Sequence, residues 1–209
     1  MKIFYIELKN TSELKRVEKK KLQSNLGRHL TKQIAEVFYD VKDTEIIIEN
    51  NKPKFKNSNL CFNISHSENI VAVAFDVEPL GLDIEYMKER DFKTLLERYN
   101  IDSNDKNLFY QFWTEYEAKY KIQAKIKQKI CFRLLPDYML SLFSSNPDSG
   151  IKTKLKIYEV KSPTDNIIPN ELINLKLVKE SNKNENTLVA QERNTAEVEF
   201  LTPLALKTE

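Results

Sequence analysis

The run from Phe62 to Glu85, FNISHSENIVAVAFDVEPLGLDIE, constrains the fold more than any other part of the chain. Residues 70–77, IVAVAFDV, are apolar without alternation, the pattern of a strand buried on both faces. Glu78-Pro79 breaks the run. LGLDIE then alternates: Leu80, Leu82 and Ile84 point one way, Asp83 and Glu85 close to the other. Packing alone requires neither the two acids nor His66, which stands between Ser65 and Ser67.

The surrounding segments read as alternating strands and amphipathic helices. KIFYIEL is a first strand. Ser12 can cap a following helix, with Glu13 in its first turn, and Leu14, Val17, Leu22, Leu26, Leu30, Ile34 and Val37 recur at helical spacing. Lys21, Arg28 and Lys32 fall near one another on another face of that helix, where a solvated basic face is the ordinary reading. TEIIIEN is a strand, ENNKPKF a turn punctuated by Asn50-Asn51 and Pro53, and LCFNI a further strand. FKTLLERY is a short helix. A long helix is expected from Asn107 to Ile130, with Phe109, Phe112, Trp113, Tyr116 and Tyr120 as its stripe. CFRLL, IKTKLKIYEV, INLKLVKE, NTLVAQE and AEVEFL are β-like pieces, with turn-rich stretches such as ESNKNEN between them. Strand, long helix and several strands thus occur twice, which hints at duplication.

With 209 residues, 41% of them hydrophobic, the chain has enough core for one large domain or two small lobes. Lys and Arg number 33 against 31 Asp and Glu, so no charge excess argues for nucleic acid as a partner. The two cysteines lack paired spacing, which argues against a zinc site or disulfide framework. The apolar run at the N-terminus is too short for a signal peptide, and nothing approaches the ~20 apolar residues that span a bilayer. A cytoplasmic protein without membrane partners is expected.

Residues i and i+2 of a strand share a face, so Asp83 and Glu85 project together, roughly 6.5–7 Å apart at Cα. Two carboxylates that close repel unless neutralised, and a hard divalent cation such as Mg²⁺ is a natural partner. Solvation at an exposed edge is the alternative. In FWTEYEAKYK, Trp113, Glu117 and Lys121 lie on one helical face, and Glu117 before Lys121 is also an ordinary helix-stabilising pair. His66, between two serines at the start of an apolar strand, stands where a turn can hold an anion. A hairpin about Pro79 would bring both acids toward it.

With these pieces placed, the chain resembles the 4′-phosphopantetheinyl transferases, specifically the larger, two-lobed (surfactin-synthetase-activating) type. NKP (residues 51–53), FNISHS (62–67), GLDIE (81–85) and FWTEYEAKYK (112–121) carry the resemblance, in the family's order. It implies transfer of the 4′-phosphopantetheine arm of coenzyme A to a serine of an apo acyl or peptidyl carrier protein, leaving adenosine 3′,5′-bisphosphate. It further implies that Asp83, Glu85 and Glu117 hold Mg²⁺, or Mn²⁺ in its place. Glu117 would also accept the serine proton, Lys121 meet the pyrophosphate and His66 a coenzyme A phosphate. Lys52, Pro53 and Ser65 would lie near the co-substrate. Lys32, with Arg28 nearby, would be the basic position on the first helix that reaches the 3′-phosphate.

The resemblance also implies an α+β fold of two similar α/β lobes related by a pseudo-two-fold axis, residues 1–77 and 78–209, with the active site between them. A single such chain completes its own site, so a monomer is expected. That boundary separates the two strands flanking Pro79 and so competes with the hairpin. The chain departs from the family pattern at Tyr116, where Lys is usual, and at Asn51, where Gly is common. The stretch from Glu85 to Trp113, which in the family helps grip the carrier, is short. Two other readings remain: a catalytically inactive paralogue that binds coenzyme A or a carrier protein, and a structural domain whose basic helix binds an acidic partner.

Overall fold

The apolar run is strand β5 (Ile70–Asp76), buried at every position, in a computed structural model of the chain. The structure describes residues 1–149, 154–162, 176–178, 187–195, 199–202 and 204. The ESNKNEN stretch and most of INLKLVKE lie outside them. β5 is central because two cores meet on it. Val71, Val73 and Phe75 face one core, and Ile70, Ala72 and Ala74 face the other.

On one side lies helix α1 (Arg16–Tyr39), which presents Leu22, Leu26, Leu30 and Ile34 to the first core. Each such leucine contributes about 1.5–3 kcal/mol by leaving water. The helix begins later than Ser12 suggested. Residues 11–14 form a turn, with the Leu14 N–H donating to the Thr11 carbonyl, and the Glu18 carboxylate caps the helix start by accepting from the Lys15 N–H at 2.9 Å. Val17, read as part of the buried stripe, is 78% exposed as a result.

β5 pairs antiparallel with β1 (Lys2–Glu7) and with β4 (Cys61–Ser67). The sheet extends through β9 (Lys156–Lys161), β11 (Thr187–Arg193) and β10 (Lys176–Val178), in the order β10-β11-β9-β1-β5-β4. β6 (Leu80–Tyr86) belongs to a second sheet with β7 (Gln128–Leu135), β8 (Tyr138–Ser144) and β12 (Glu199–Leu201), in the order β12-β7-β8-β6. The strands flanking Pro79 therefore do not form a hairpin; the chain passes from one sheet to the other there. Strands that follow residue 78 contribute to both sheets.

The sheets pack face to face through Ile3, Tyr5, Ala72 and Ala74 against Leu82, Ile84, Phe132 and Leu140. The outer face of the second sheet is covered by α3 (Lys106–Ile122), through Cys131, Met139 and Phe143, with α2 (Phe92–Glu97) beside it. The result is a mixed α/β fold layered helix, sheet, sheet, helix. No helix among the described residues is long and apolar enough to cross a membrane.

Three further differences from the sequence reading have local causes. α3 stops at Ile122 rather than Ile130 because Gln123 turns left-handed, at φ 50°, and the chain re-enters as β7. ENNKPKF is a two-stranded hairpin, β2 (Ile46–Glu49) and β3 (Lys52–Phe55), around Asn50 and Asn51 at φ 50° and 60°. Positive φ at both central residues is the turn whose twist matches a two-residue hairpin, and Asn tolerates it. β8 is a strand that the sequence reading did not contain.

Candidate active site

β6 and α3 build the site between them. Gly81, Asp83 and Glu85 face the helix. A Cβ at Gly81 would stand 2.0 Å from the Ala118 carbonyl oxygen and 2.8 Å from the Ile122 nitrogen. The missing side chain lets the helix backbone rest directly on the strand, with Glu117 and Lys121 beside the contact. The Lys121 ammonium donates to Asp83 Oδ1 at 2.6 Å, the Leu82 carbonyl at 3.2 Å and Ser65 Oγ at 3.3 Å. Ser65 donates to Asp83 Oδ1 at 3.0 Å, and Ser67 to Glu85 Oε2 at 2.8 Å.

Burial pushes the Asp83 carboxyl up from its ordinary value; Lys121 and Ser65 oppose that push, and the charge of Glu117 adds to it. Glu85 is likewise raised, first by burial and then by the charge of Asp83. Asp83 thus feels Glu117 across the strand–helix junction, and Glu85 feels Asp83 along the strand. Asp83 Oδ2 is buried without a hydrogen-bond partner. Among the described residues no three His, Cys, Asp or Glu side chains close on one point as a finished metal cage, and the Lys121 ammonium neutralises Asp83 instead. An all-oxygen donor set with an orphaned carboxylate oxygen fits a hard divalent cation.

His66 lies within β4, next to last and between the two serines, so it stands in a strand rather than in the turn that the sequence suggested. Burial lowers its pKa, and the charges of Lys121 and Lys20 lower it further. The α1 cation that bears on His66 is therefore Lys20. Arg28 and Lys32 are exposed on α1, which covers the outer face of the first sheet, and the structure does not bring them to the carboxylates. Lys52 and Pro53 lie on β3, beside a cavity of about 540 Å³ also lined by Phe55, Cys61, Phe62 and Gln123. The Lys52 ammonium is held by the carbonyls of Ile122 at 3.1 Å and Leu80 at 3.3 Å. It fastens the hairpin to the end of α3 and the start of β6, and burial lowers its pKa.

Two features escaped the sequence reading. Glu115, two residues before Glu117, is fully buried; it accepts from the Leu204 N–H at 3.0 Å and from Lys129 at 3.3 Å, so it ties Leu204 and the start of β7 to α3. Asn63, Ser65 and Ser67 all turn toward β6. Their signal was present as polar residues at every second position of an otherwise apolar strand.

Three curated proteins are similar to the chain. A 4′-phosphopantetheinyl transferase of Bacillus subtilis, ffp, is 31% identical over 116 residues, 48% of this chain and 51% of its own length. The Nostoc transferase HetI is 28% identical over 113 residues, 48% of this chain and 47% of its own. A Haemophilus influenzae protein that bears the transferase name provisionally is 34% identical over 90 residues, 36% of this chain and 38% of its own. The match spans about half or less of the length of these relatives, and no protein-family model matches. Through the part that aligns, the chain is related to the 4′-phosphopantetheinyl transferase superfamily.

Proposed function

We propose that the protein transfers the 4′-phosphopantetheine arm of coenzyme A to a serine of an apo acyl or peptidyl carrier protein. The observation that carries this reading is Asp83 where β6 meets α3: it is bound to Lys121, feels the charge of Glu117, stands two residues from Glu85 and leaves Oδ2 unpartnered. Asp83, Glu85 and Glu117 would hold Mg²⁺, or Mn²⁺ in its place. A cation there would supply charge neutralisation at the pyrophosphate.

Glu117 accepts the serine proton. The serine oxygen bonds to the phosphorus of the pantetheine phosphate, and the bond from that phosphorus to the bridging oxygen breaks, releasing adenosine 3′,5′-bisphosphate. Lys121 exchanges Asp83 for a phosphate oxygen and stabilises the charge that develops on it. His66 meets a further phosphate, with Ser65 and Lys20 nearby, and Lys32, with Arg28 beside it, is the basic position on α1 that reaches the 3′-phosphate. The cavity beside Lys52 and Pro53 takes the nucleotide end.

Two similar α/β halves related by a pseudo-two-fold axis, residues 1–77 and 78–209, belong to the same reading. Supporting it, the order strand, helix, strands occurs twice, and each sheet has its own outer helix. A monomer that completes its own site in the cytoplasm is part of the proposal.

Intact mass spectrometry of an apo acyl carrier protein, incubated with the protein, coenzyme A and Mg²⁺, tests it. A gain of one phosphopantetheine that EDTA abolishes is expected. No gain on fatty-acid, polyketide and peptidyl carriers alike, from folded protein, overturns transfer.

A further inference from the structure

β4 is the last strand of the first sheet and β6 the last of the second, and side chains join their edges. Asn63 Oδ1 accepts from the Leu82 N–H at 3.2 Å, Ser65 Oγ from the Ile84 N–H at 3.2 Å, and Ser67 Oγ from the Tyr86 N–H at 3.0 Å. The three acceptors are spaced by two residues, as are the three donors. Polar side chains thus satisfy an edge that would otherwise need another strand.

At the two serines this arrangement fixes a proton as well. A serine hydroxyl has one hydrogen and two lone pairs. With a backbone N–H directed at a lone pair, the hydrogen is free for the neighbouring carboxylate. Ser65 gives it to Asp83 Oδ1 and Ser67 to Glu85 Oε2. One oxygen of each acid is held and its rotation stopped. For Asp83 the other oxygen is the orphaned Oδ2. Asn63 caps the edge in the same way but touches neither acid.

We propose that Ser67, acting with Ser65, is a positioning residue that aims the carboxylates of Glu85 and Asp83 at a divalent cation. This rests on the metal reading above. Partners that orient a metal ligand typically contribute 10- to 100-fold in metal affinity, so Ser67 should be felt in cation binding itself.

The test is Mn²⁺ binding to the whole protein, without co-substrate, by electron paramagnetic resonance. Ser67→Ala should weaken binding by about 10- to 100-fold, Ser67→Thr should restore it, and Asn63→Ala should leave it unchanged. Wild-type affinity in Ser67→Ala overturns the proposal. So does an equal loss in Asn63→Ala, which would assign the effect to the strand edge rather than the carboxylate. Should Asn63→Ala not fold, the contrast between Ala and Thr at position 67 still decides. Asp83→Asn separates the two levels: Mn²⁺ binding that survives it, or its absence in the wild type, overturns the metal reading and this inference together.

Discussion

Gly81→Ala tests whether the site depends on how closely α3 rests on β6. The added carbon would stand 2.0 Å from the Ala118 oxygen, 2.8 Å from the Ile122 nitrogen and 3.1 Å from the Ala118 carbonyl carbon. All three are backbone atoms, so no side chain can swing aside. Ordinary contact lies near ~3.5 Å, and the helix must retreat by roughly 1.5 Å at that turn. Glu117 and Lys121 are adjacent in sequence to the two residues that are pushed. A retreat of that size takes the 2.6 Å Lys121–Asp83 contact out of hydrogen-bond range. Overpacking of this kind costs about 1–3 kcal/mol, and at roughly 2–4 °C per kcal/mol for a chain of this size the melting temperature falls by several degrees. A misplacement of 1 Å costs on the order of 100-fold in rate. Transfer kinetics on an apo carrier, beside a thermal melt of the same preparation, should show a kcat/KM loss of about 100-fold from a folded variant. Wild-type turnover would refute the argument that this contact sets the reach of Glu117 and Lys121.

Other perturbations separate the parts. Glu117→Gln should abolish transfer with little change in the melt, as read by mass spectrometry and circular dichroism; near-wild-type turnover would remove Glu117 as proton acceptor. Glu115→Ala should do the reverse, costing about 3 kcal/mol because Lys129 and the Leu204 N–H lose a buried partner, while the folded fraction still turns over. The His66 pKa is lowered in the fold by burial, so the unfolded chain binds more protons at mildly acidic pH. His66 thus withdraws stability as pH falls below about 6.5, the ordinary value. Urea melts from pH 7 to 5 should therefore lose stability more steeply for the wild type than for His66→Gln, and equal slopes would contradict the assigned burial.

The strands of the Phe62–Glu85 run were legible because their periods differ: a continuous apolar strand reports two covered faces, and alternation reports one. β8 was not legible. YMLSLFS is a short apolar run whose burial on both faces gives no alternation, and periodicity alone cannot separate such a strand from a buried helical piece. The end of α3 was obscured for a related reason. Ile122, Ile126 and Ile130 keep a four-residue spacing, yet Gln123 leaves the helix and Ile130 packs between the sheets. In the site, the i, i+2 acids and the i, i+4 pair were visible as local spacings. The serine contacts and the charge of Lys20 on His66 depend on which edges and faces meet, and that is decided by packing between elements distant in sequence.

β1 sits inside the first sheet with β5 on one edge and β9 on the other, and the β9 pairing is parallel, with Phe4 stacked on its register partner Tyr158 at 4.7 Å. A ribosome therefore delivers the first strand long before the segment that closes it, with a delay on the order of ten seconds at ordinary elongation rates. During that interval the open side of β1 is a template for pairing with a second nascent chain. A chaperone that shields the emerging N-terminal segment would be expected to raise the yield of active protein, and a fragment ending before Lys156 to aggregate, even though every residue assigned to the site has already been made.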